Sequence, residues 1–130
     1  MSHIVRGHVK TAYTDKEILV RALGYLGEVR ENEKLYRVGD GFSRETYDVV
    51  LIDSENQKNR IGYNYEEDMW SQFQENYGAV GRWTKKISSK IQDRYIAFHY
   101  EKNLVEEGFK VTVQEQQDGT LELVANEGGW

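Results

Sequence analysis

The sequence predicts an α+β protein, a two-layer sandwich in which two helices cover one face of an antiparallel sheet of about six strands. Two stretches repeat apolar residues at three- and four-residue intervals, as amphipathic helices do, and short alternating or β-branched segments flank each of them. The 130 residues have the length of one domain. We therefore expect a single domain over residues 1–130, with pseudo-halves of about 1–58 and 59–130.

The first half opens with a strand over residues 4–11, which a helix follows. Thr14-Asp15-Lys16-Glu17 has the form of a capping box, in which the Thr hydroxyl and the Glu carboxylate satisfy free amides at a helix start. Gly27 suits the left-handed residue that closes a helix, and Gly24 inside it costs about 1 kcal/mol relative to alanine. The apolar face of this helix consists of Ile18, Leu19, Ala22, Leu23 and Leu26.

Two more strands complete this half. Residues 28–38 are polar but extended in character, and the Gly-Asp-Gly sequence at residues 39–41 predicts a loop. Residues 46–52 form a β-branched run long enough for a buried strand. The order is strand, helix, strand, strand.

The second half begins with a strand over residues 60–66, where Ile61, Tyr63 and Tyr65 alternate with smaller or polar residues. Residues 67–82 are rich in aromatics and glycine and predict only a loop or a short helix. A long helix follows from about Thr84 to a stop at Gly108. Its apolar stripe consists of Ile87, Ile91, Tyr95, Phe98 and Val105, with Leu104 beside it.

A hairpin ends the chain. The pair Asp118-Gly119 favours a two-residue turn, because both central residues of such a turn need positive φ. Val111 and Val113 precede the turn, and the second strand ends near Trp130. Both halves then share the order βαββ, which suggests a pseudo-repeat, and the sheet face opposite the helices would be open to a ligand, a nucleic acid or a second protomer.

Composition limits the classes of function. The chain has no cysteine, so disulfides, thiolate metal sites and cysteine nucleophiles are excluded. No window approaches the ~20 apolar residues of a membrane span, so we expect a soluble, cytoplasmic protein that does not contact membranes. The net charge of −5 argues against wholesale electrostatic binding to nucleic acid, although a local basic patch would override it.

The strongest local anomaly is a basic ridge at the start of the long helix. It consists of Arg82, Lys85, Lys86, Lys90 and Arg94. Cations there oppose the helix dipole, and four of the five recur every four residues, so they form one face suited to phosphates or an acidic partner. The alternative is a solvated face balanced by nearby carboxylates such as Glu66, Glu67 and Asp68.

An aromatic segment leads into the ridge. Its members are Met69, Trp70, Phe73, Tyr77 and Trp83. Tryptophan or tyrosine rings there would stack on a nucleotide base, or else seal a loop onto the core. The predicted ligand-binding set joins both features and consists of Trp70, Tyr77, Arg82, Trp83, Lys86, Lys90 and Arg94.

Catalytic and metal signals are weak. We find no nucleophile elbow, phosphate loop or His-Glu-x-x-His sequence. His3 and His8 lie an odd number of residues apart and so point to opposite faces of a regular strand, and His99 is expected to be structural. We expect no catalytic residues, no metal and no cofactor.

Several packing and turn motifs carry a family resemblance. They are Met1-Ser2-His3, residues 23–27 (LGYLG), residues 92–95 (QDRY), residues 106–111 (EEGFKV) and residues 118–124 (DGTLELV). With these motifs the chain resembles the hypothetical chloroplast reading frame 35 family, also called domain of unknown function 1257, over nearly its whole length. The resemblance implies an uncharacterised family of cyanobacteria, plastids, other bacteria and phages, whose genes sometimes lie beside one for an AAA-type ATPase.

Two hypotheses of function follow, beside a third, less supported reading as an enzyme. The first is a small non-enzymatic adaptor that binds a protein partner, such as the AAA-type ATPase or a second copy of itself. The alternative is binding or sequestration of a nucleotide-like anion or nucleic acid through the basic ridge and the aromatic segment, as in phage counter-defence. The resemblance is compatible with the plastid stroma or a phage-infected bacterial cytoplasm as well as an ordinary cytoplasm.

Overall fold

A computed structural model describes residues 4–118 and 120–127, with the backbone alone for Glu127. It confirms the α+β class, with two helices packed on one face of an antiparallel sheet. In chain order the elements are β1 (Ile4–Arg6), α1 (Lys16–Gly24), β2 (Glu28–Glu33), β3 (Tyr36–Arg37), β4 (Gly41–Phe42), β5 (Tyr47–Asp53), β6 (Asn56–Glu66), β7 (Met69–Glu75), α2 (Gly78–Glu106), β8 (Phe109–Glu115) and β9 (Leu121–Glu127).

The main sheet has five strands in the order β1-β7-β6-β5-β2, not six, and every neighbouring pair is antiparallel. The difference arises at the end of the chain, because β8 and β9 pair only with each other among the described strands and pack as a separate hairpin on α2. The βαββ order does not repeat either, since the second half carries β6 and β7 before its helix.

The core lies between the helices and the sheet. Along β5 and β6, alternate residues such as Val49, Leu51, Ile61 and Tyr63 point toward the helices. Burial of side chains of this size stabilises the fold by roughly 1.5–3 kcal/mol each. The helices contribute Ile18, Leu19, Ala22, Leu23, Ile87, Ile91, Tyr95 and Phe98 to the same cluster.

The opposite sheet face was expected to be open and is instead covered. Val50 and Ile52 on that face are buried in a second cluster with Leu35 and Tyr47, which flank the small β3-β4 hairpin. Gly62 makes this contact fit, because a Cβ there would lie 2.8 Å from the Tyr47 ring. This face therefore offers no broad open binding surface.

The start and end of α1 differ from the prediction. Asp15, not Thr14, is the N-cap, and its Oδ1 accepts a hydrogen bond from the Ile18 amide at 3.1 Å. The helix ends at Gly24, so that glycine is not an interior defect. Gly27 is needed for a close approach, because a Cβ there would lie 2.5 Å from the Ile52 carbonyl oxygen.

The segment predicted as a loop or short helix contains β7, and α2 begins at Gly78 rather than near Thr84. The pattern failed because β7 buries polar side chains, such as Gln72 and Glu75, in place of aliphatic ones. These side chains are satisfied by specific hydrogen bonds, so the strand lacks apolar alternation.

The stop after α2 is confirmed, since Gly108 has a φ of +98°. The turn after β8 is longer than predicted: the Gln116 amide donates to the Thr120 carbonyl at 2.8 Å, which leaves three residues in the loop. Asp118 holds this loop through its Oδ1, which accepts from the Thr120 amide at 3.0 Å. Gly119 and Trp130 lie outside the described residues.

Candidate functional site

A cleft of about 600 Å³ opens between the segment that leaves β1 and the N-terminal half of α2. The predicted first strand over residues 4–11 stops at Arg6. The chain then continues beside β7, where the Gly7 amide donates to the Gln72 carbonyl at 2.7 Å, and it reaches α2 where the Lys10 amide donates to Gln92 Oε1. The lining residues are Arg6, His8, Lys10, Gln74, Asn76, Gly81, Lys85, Ser88, Ser89 and Gln92.

Two glycines allow the walls of the cleft to approach each other. A Cβ at Gly7 would overlap the Gln74 side-chain oxygen, so the backbone passes directly over that amide. A Cβ at Gly81 would overlap the Asn76 carbonyl, so the first turn of α2 packs on the loop after β7. Only glycine permits both approaches without displacing backbone or amide atoms.

The two segments that form the cleft walls contain no aspartate or glutamate. Residues 4–14 and 76–92 together hold six lysines and arginines, so the rest of the chain carries −11 against −5 for the whole. The fold thus brings two acid-free basic segments to one place. Although the two segments are distant in sequence, together they form one positively charged region.

The charges at this cleft are poorly neutralised. Arg6 pairs with Glu66, with Nη1 and Oε1 3.0 Å apart. In the described part of the chain, neither Lys10 nor Lys85 has a carboxylate within 4 Å. A concave surface lined by one sign of charge focuses the potential and attracts counter-ions.

A chain of hydrogen bonds runs from the core to the floor of the cleft. The Tyr63 hydroxyl donates to Gln72 Oε1 at 2.9 Å, and Gln72 Nε2 donates to Gln74 Oε1 at 2.6 Å and to Ser88 Oγ at 3.1 Å. Gln74 Nε2 in turn donates to Asn76 Oδ1. Burial raises the pKa of the Tyr63 hydroxyl well above its ordinary value, so this end of the chain stays neutral.

The buried carboxylate of Glu75 fixes the loop at the mouth of the cleft. One oxygen accepts from the Val38 amide and the other from the Tyr77 amide, each at 3.0 Å. Glu75 thereby ties the β3-β4 cover to the residues that lead into α2. Its neighbour Asn76 is held in place in the cleft as a result.

The predicted basic ridge is divided by the fold. Arg82, Lys86 and Lys90 are exposed beside the cleft and do not line it, whereas Lys85 does. Arg94 is only 6% exposed and pairs with Glu115 across to β8, its Nη2 lying 2.7 Å from Oε1. Arg94 therefore belongs to the packing of the hairpin.

The aromatic segment does not form one surface. Trp70 is 8% exposed and lies in the core, and Phe73 packs on the opposite face of the sheet. Trp83 is half-buried against the core. Tyr77 is 60% exposed at the N-cap of α2. Of the predicted aromatic ligands, only Tyr77 has an open ring.

A second charged region lies on another side of α2, where α1, α2 and the β8-β9 hairpin meet around a cavity of about 370 Å³. Arg21 forms a two-bond pair with Glu101, at 3.3 Å for each bond, and its guanidinium lies 3.9 Å from the Phe98 ring centroid. Arg94 lies 5.3 Å from the Tyr25 ring centroid. We call this region the arginine seam.

Most of the cleft is not predicted by the sequence patterns. They predict a regular strand through Arg6, His8 and Lys10 and an irregular loop through Gln74 and Asn76, and neither prediction brings the two segments together. One signal was present in the sequence: the absence of acidic residues from residues 4–14, matching their absence from residues 76–92.

The described residues, 4–118 and 120–127, contain no group of three histidine, aspartate or glutamate side chains that could hold a metal ion. Neither helix among them is long and apolar enough to cross a membrane. His99 is stacked on Tyr95, with ring centroids 5.9 Å apart.

Fold and site together define a small α+β domain with a positively charged, acid-free cleft beside its long helix. Comparisons with protein-family models, with curated proteins and with solved structures gave no match.

Proposed function

We propose that this protein is a non-enzymatic binding domain that takes a phosphate-bearing anion into the basic cleft. The observation that carries the proposal is that Lys10 and Lys85 converge on one concave site with no carboxylate partner among the described residues. Unpaired cations that face each other repel, so an anion between them lowers the energy of the folded protein.

The start of α2 adds to the attraction. Its first turn has no acidic residue, and its N-cap residue Tyr77 makes no side-chain capping bond. The positive end of the helix dipole is therefore not offset locally, and it acts in the same direction as the lysines. The cleft volume falls in the range of about 300–1,000 Å³ that is usual for small-molecule sites.

A nucleotide or a short nucleic acid suits this site, and sequestration of such a ligand is the role we propose. Phosphates would lie between Lys10 and Lys85. Tyr77 follows the lining residue Asn76 directly, and its ring is exposed at the N-cap of α2. A base stacked on that ring would add roughly 1–3 kcal/mol.

Isothermal titration calorimetry with inorganic pyrophosphate, ADP and a thymidine oligonucleotide at low salt tests the proposal. Lys10→Glu combined with Lys85→Glu should weaken binding by roughly tenfold or more, because both walls of the cleft change sign. Binding should also weaken as salt is added.

A matched control carries the same change in net charge elsewhere. Lys58→Glu with Lys110→Glu alters two exposed lysines outside the cleft and should leave affinity within about twofold once long-range repulsion is screened. Lys86→Glu with Lys90→Glu, on the ridge beside the cleft, should have an intermediate effect. Equal losses in all three pairs, or no binding by the wild type, would refute the cleft as the site.

A protein-binding role is the second candidate, and a separate observation favours it. Ile96 and Tyr100, one turn apart on α2, are half-exposed or more beside a groove of about 410 Å³ whose described lining has no charged side chain. An adaptor that docks on a partner such as the AAA-type ATPase implied by the family resemblance, or on a second copy, would use such a surface.

Sedimentation velocity and cross-linking capture from the native cell test this second role. Ile96→Asp with Tyr100→Asp should abolish any self-association or reproducible captured partner, whereas the cleft pair Lys10→Glu with Lys85→Glu should leave them intact. A wild-type protein that stays monomeric and captures nothing would eliminate the adaptor role.

A further inference from the structure

We infer that the cleft selects a fully ionised oxyanion, such as a dianionic phosphate monoester or a sulfate, because the oxygens of its amide side chains are already engaged by donors from the protein while its cations and NH₂ groups remain as donors. The inference rests on the proposed anion-binding function and names the chemical state of the ligand group. A protonated phosphate carries a hydroxyl that must donate to something, and an amide oxygen that already accepts one hydrogen bond is a poorer partner for it than a free one.

Three amide side chains line the cleft, and each has its oxygen occupied by a donor from the protein. Gln74 Oε1 accepts from Gln72, and Asn76 Oδ1 accepts from Gln74. Gln92 Oε1 accepts from the Lys10 amide at 3.0 Å. An amide has its oxygen and its NH₂ group on opposite sides, so fixing the oxygen turns the donor toward the remaining space.

The direction of the whole chain is set in the core. Tyr63 is fully buried, and its neutral hydroxyl donates a hydrogen bond to Gln72 Oε1. Because the oxygen of Gln72 faces Tyr63, its NH₂ group donates to Gln74 Oε1 and to Ser88 Oγ. The oxygen of Gln74 is thereby turned toward the core in the same way. Ser88, which also lines the cleft, accepts the second of the two bonds from Gln72 through its Oγ.

The charged lining groups act in the same sense. Lysine and arginine have donors only, which applies to Lys10, Lys85 and the Arg6 guanidinium beside Glu66. Two lining side chains can adapt, Ser89 by rotating its hydroxyl and His8 by changing its tautomer.

Methyl phosphate and methyl sulfate are the probes that separate charge from protonation. Below the second pKa of a phosphate monoester, about 6, both ligands carry one negative charge, but only the phosphate retains a proton. At about pH 4, where only about 1% of the phosphate is a dianion, methyl sulfate should bind roughly tenfold more tightly than methyl phosphate, because a ligand hydroxyl that faces donors goes unpaired. Above about pH 7 the order should reverse, since the phosphate is then a dianion. At about pH 4 both ligands carry one negative charge, so the charges of the protein act equally on them and cancel in their ratio.

The outcomes are distinct. If neither ligand binds at any pH, the proposed anion-binding function itself fails. If both bind and methyl phosphate matches or exceeds methyl sulfate at about pH 4, anion binding stands and the inference is overturned. His8→Ala should preserve the preference, because the fixed amides and not the imidazole impose it, and loss of the preference in that variant would also overturn the inference.

Tyr63→Phe tests the origin of the orientation. Without the hydroxyl, Gln72 can turn over and the chain can present oxygens to the cleft, so the sulfate preference at about pH 4 should fall from tenfold toward one. The ratio of two ligands on one variant is insensitive to a general loss of stability. Tyr47→Phe, at a buried tyrosine on the opposite sheet face, is the matched control and should keep the preference. An unchanged ratio in folded Tyr63→Phe would exclude Tyr63 as the positioning residue.

Discussion

The cleft and the arginine seam lie on two sides of the same helix and treat their cations in opposite ways. In the seam, Arg21 and Arg94 are each joined to a glutamate and stacked on an aromatic ring. In the cleft, Lys10 and Lys85 face a cavity and have no such partner among the described residues. The cations of the seam are paired within the protein and contribute to packing, whereas those of the cleft remain available to a ligand.

The choice of residue type follows the same division. Arginine is planar, weakly hydrated and able to bond two oxygens at once, which suits a permanent pair packed against a ring. Lysine is a compact, strongly hydrated charge on a flexible stem, which suits an exchangeable anion. In this protein, the local environment of each cation says more about its role than the density of charge along the sequence.

The largest effect is expected at Gly81, where the cleft wall has no space for a side chain. Gly81→Ala should lower the free energy of unfolding by about 1–3 kcal/mol, because its Cβ would overlap the Asn76 carbonyl. Urea denaturation measures the change, and Gly24→Ala, which meets no atom within 4 Å, is the control. A neutral Gly81→Ala would mean that the wall yields and the cleft is not rigid.

Arg94 should matter for stability and not for anion binding. Arg94→Met keeps the length of the side chain but removes the bond to Glu115, which is half-exposed and can turn to water. The expected cost is about 1.5–3 kcal/mol by urea denaturation, with pyrophosphate affinity within about twofold of the wild type. A strong loss of binding would contradict the separation of seam and cleft.

Asp15 gives the packed side of α2 a dependence on pH. The hydrogen bond from Lys102, with Nζ 2.8 Å from Oδ2, holds the pKa of Asp15 below its ordinary value, and the Ile18 amide adds to it. Because the pKa of Asp15 is lower in the folded protein than in the unfolded chain, its ionised carboxylate stabilises the folded protein at every pH above the unfolded pKa of about 3.9. This contribution to stability is lost as the pH falls through the pKa of the folded protein. Asp15→Ala should cost about 1 kcal/mol near neutral pH, the value of a helix cap.

The difference between wild type and Asp15→Ala should shrink when thermal unfolding is followed below about pH 4. Asp15→Asn retains a cap and loses only the charge, so it should fall between the two proteins at neutral pH. A difference that persists unchanged in acid would show that Asp15 acts without its charge.

The smallest effect on stability is expected in the cleft itself. Lys85→Ala removes an exposed side chain with no described ion pair, so the free energy of unfolding should change by less than about 0.5 kcal/mol or rise slightly as repulsion is relieved. The same change should weaken pyrophosphate binding measurably. A large destabilisation would place Lys85 among the packing residues.

Much of the fold was accessible from the sequence because it rests on apolar periodicity. The apolar residues spaced around Leu19 and Ile91 predict the two helices, and the β-branched run around Val50 predicts a buried strand. These patterns do not depend on which elements pack against each other. Gly108 ends α2 for a local reason, its positive φ, and local reasons can be read from local sequence.

The rest depended on contacts between distant residues. Strand β7 could not be recognised, because Gln72 and Glu75 are stabilised by Tyr63, Ser88 and the Val38 amide, none of which is implied by the residues next to them. The cleft is not predictable from the sequence for the same reason. The acid-free stretches were visible separately, but nothing local predicts that the fold sets them side by side.

The pairing of β1 has a consequence for the order in which the protein forms. Ile4 pairs with Glu75, and Lys10 bonds to Gln92, so residues early in the sequence are placed against residues that follow much later. Closing so long a loop lowers the entropy of the chain, and local contacts do not offset this loss. Pairings of this kind therefore form late in folding. During synthesis the chain can complete its β5-β6-β7 meander before α2 exists, yet one wall of the cleft must wait until α2 has been made.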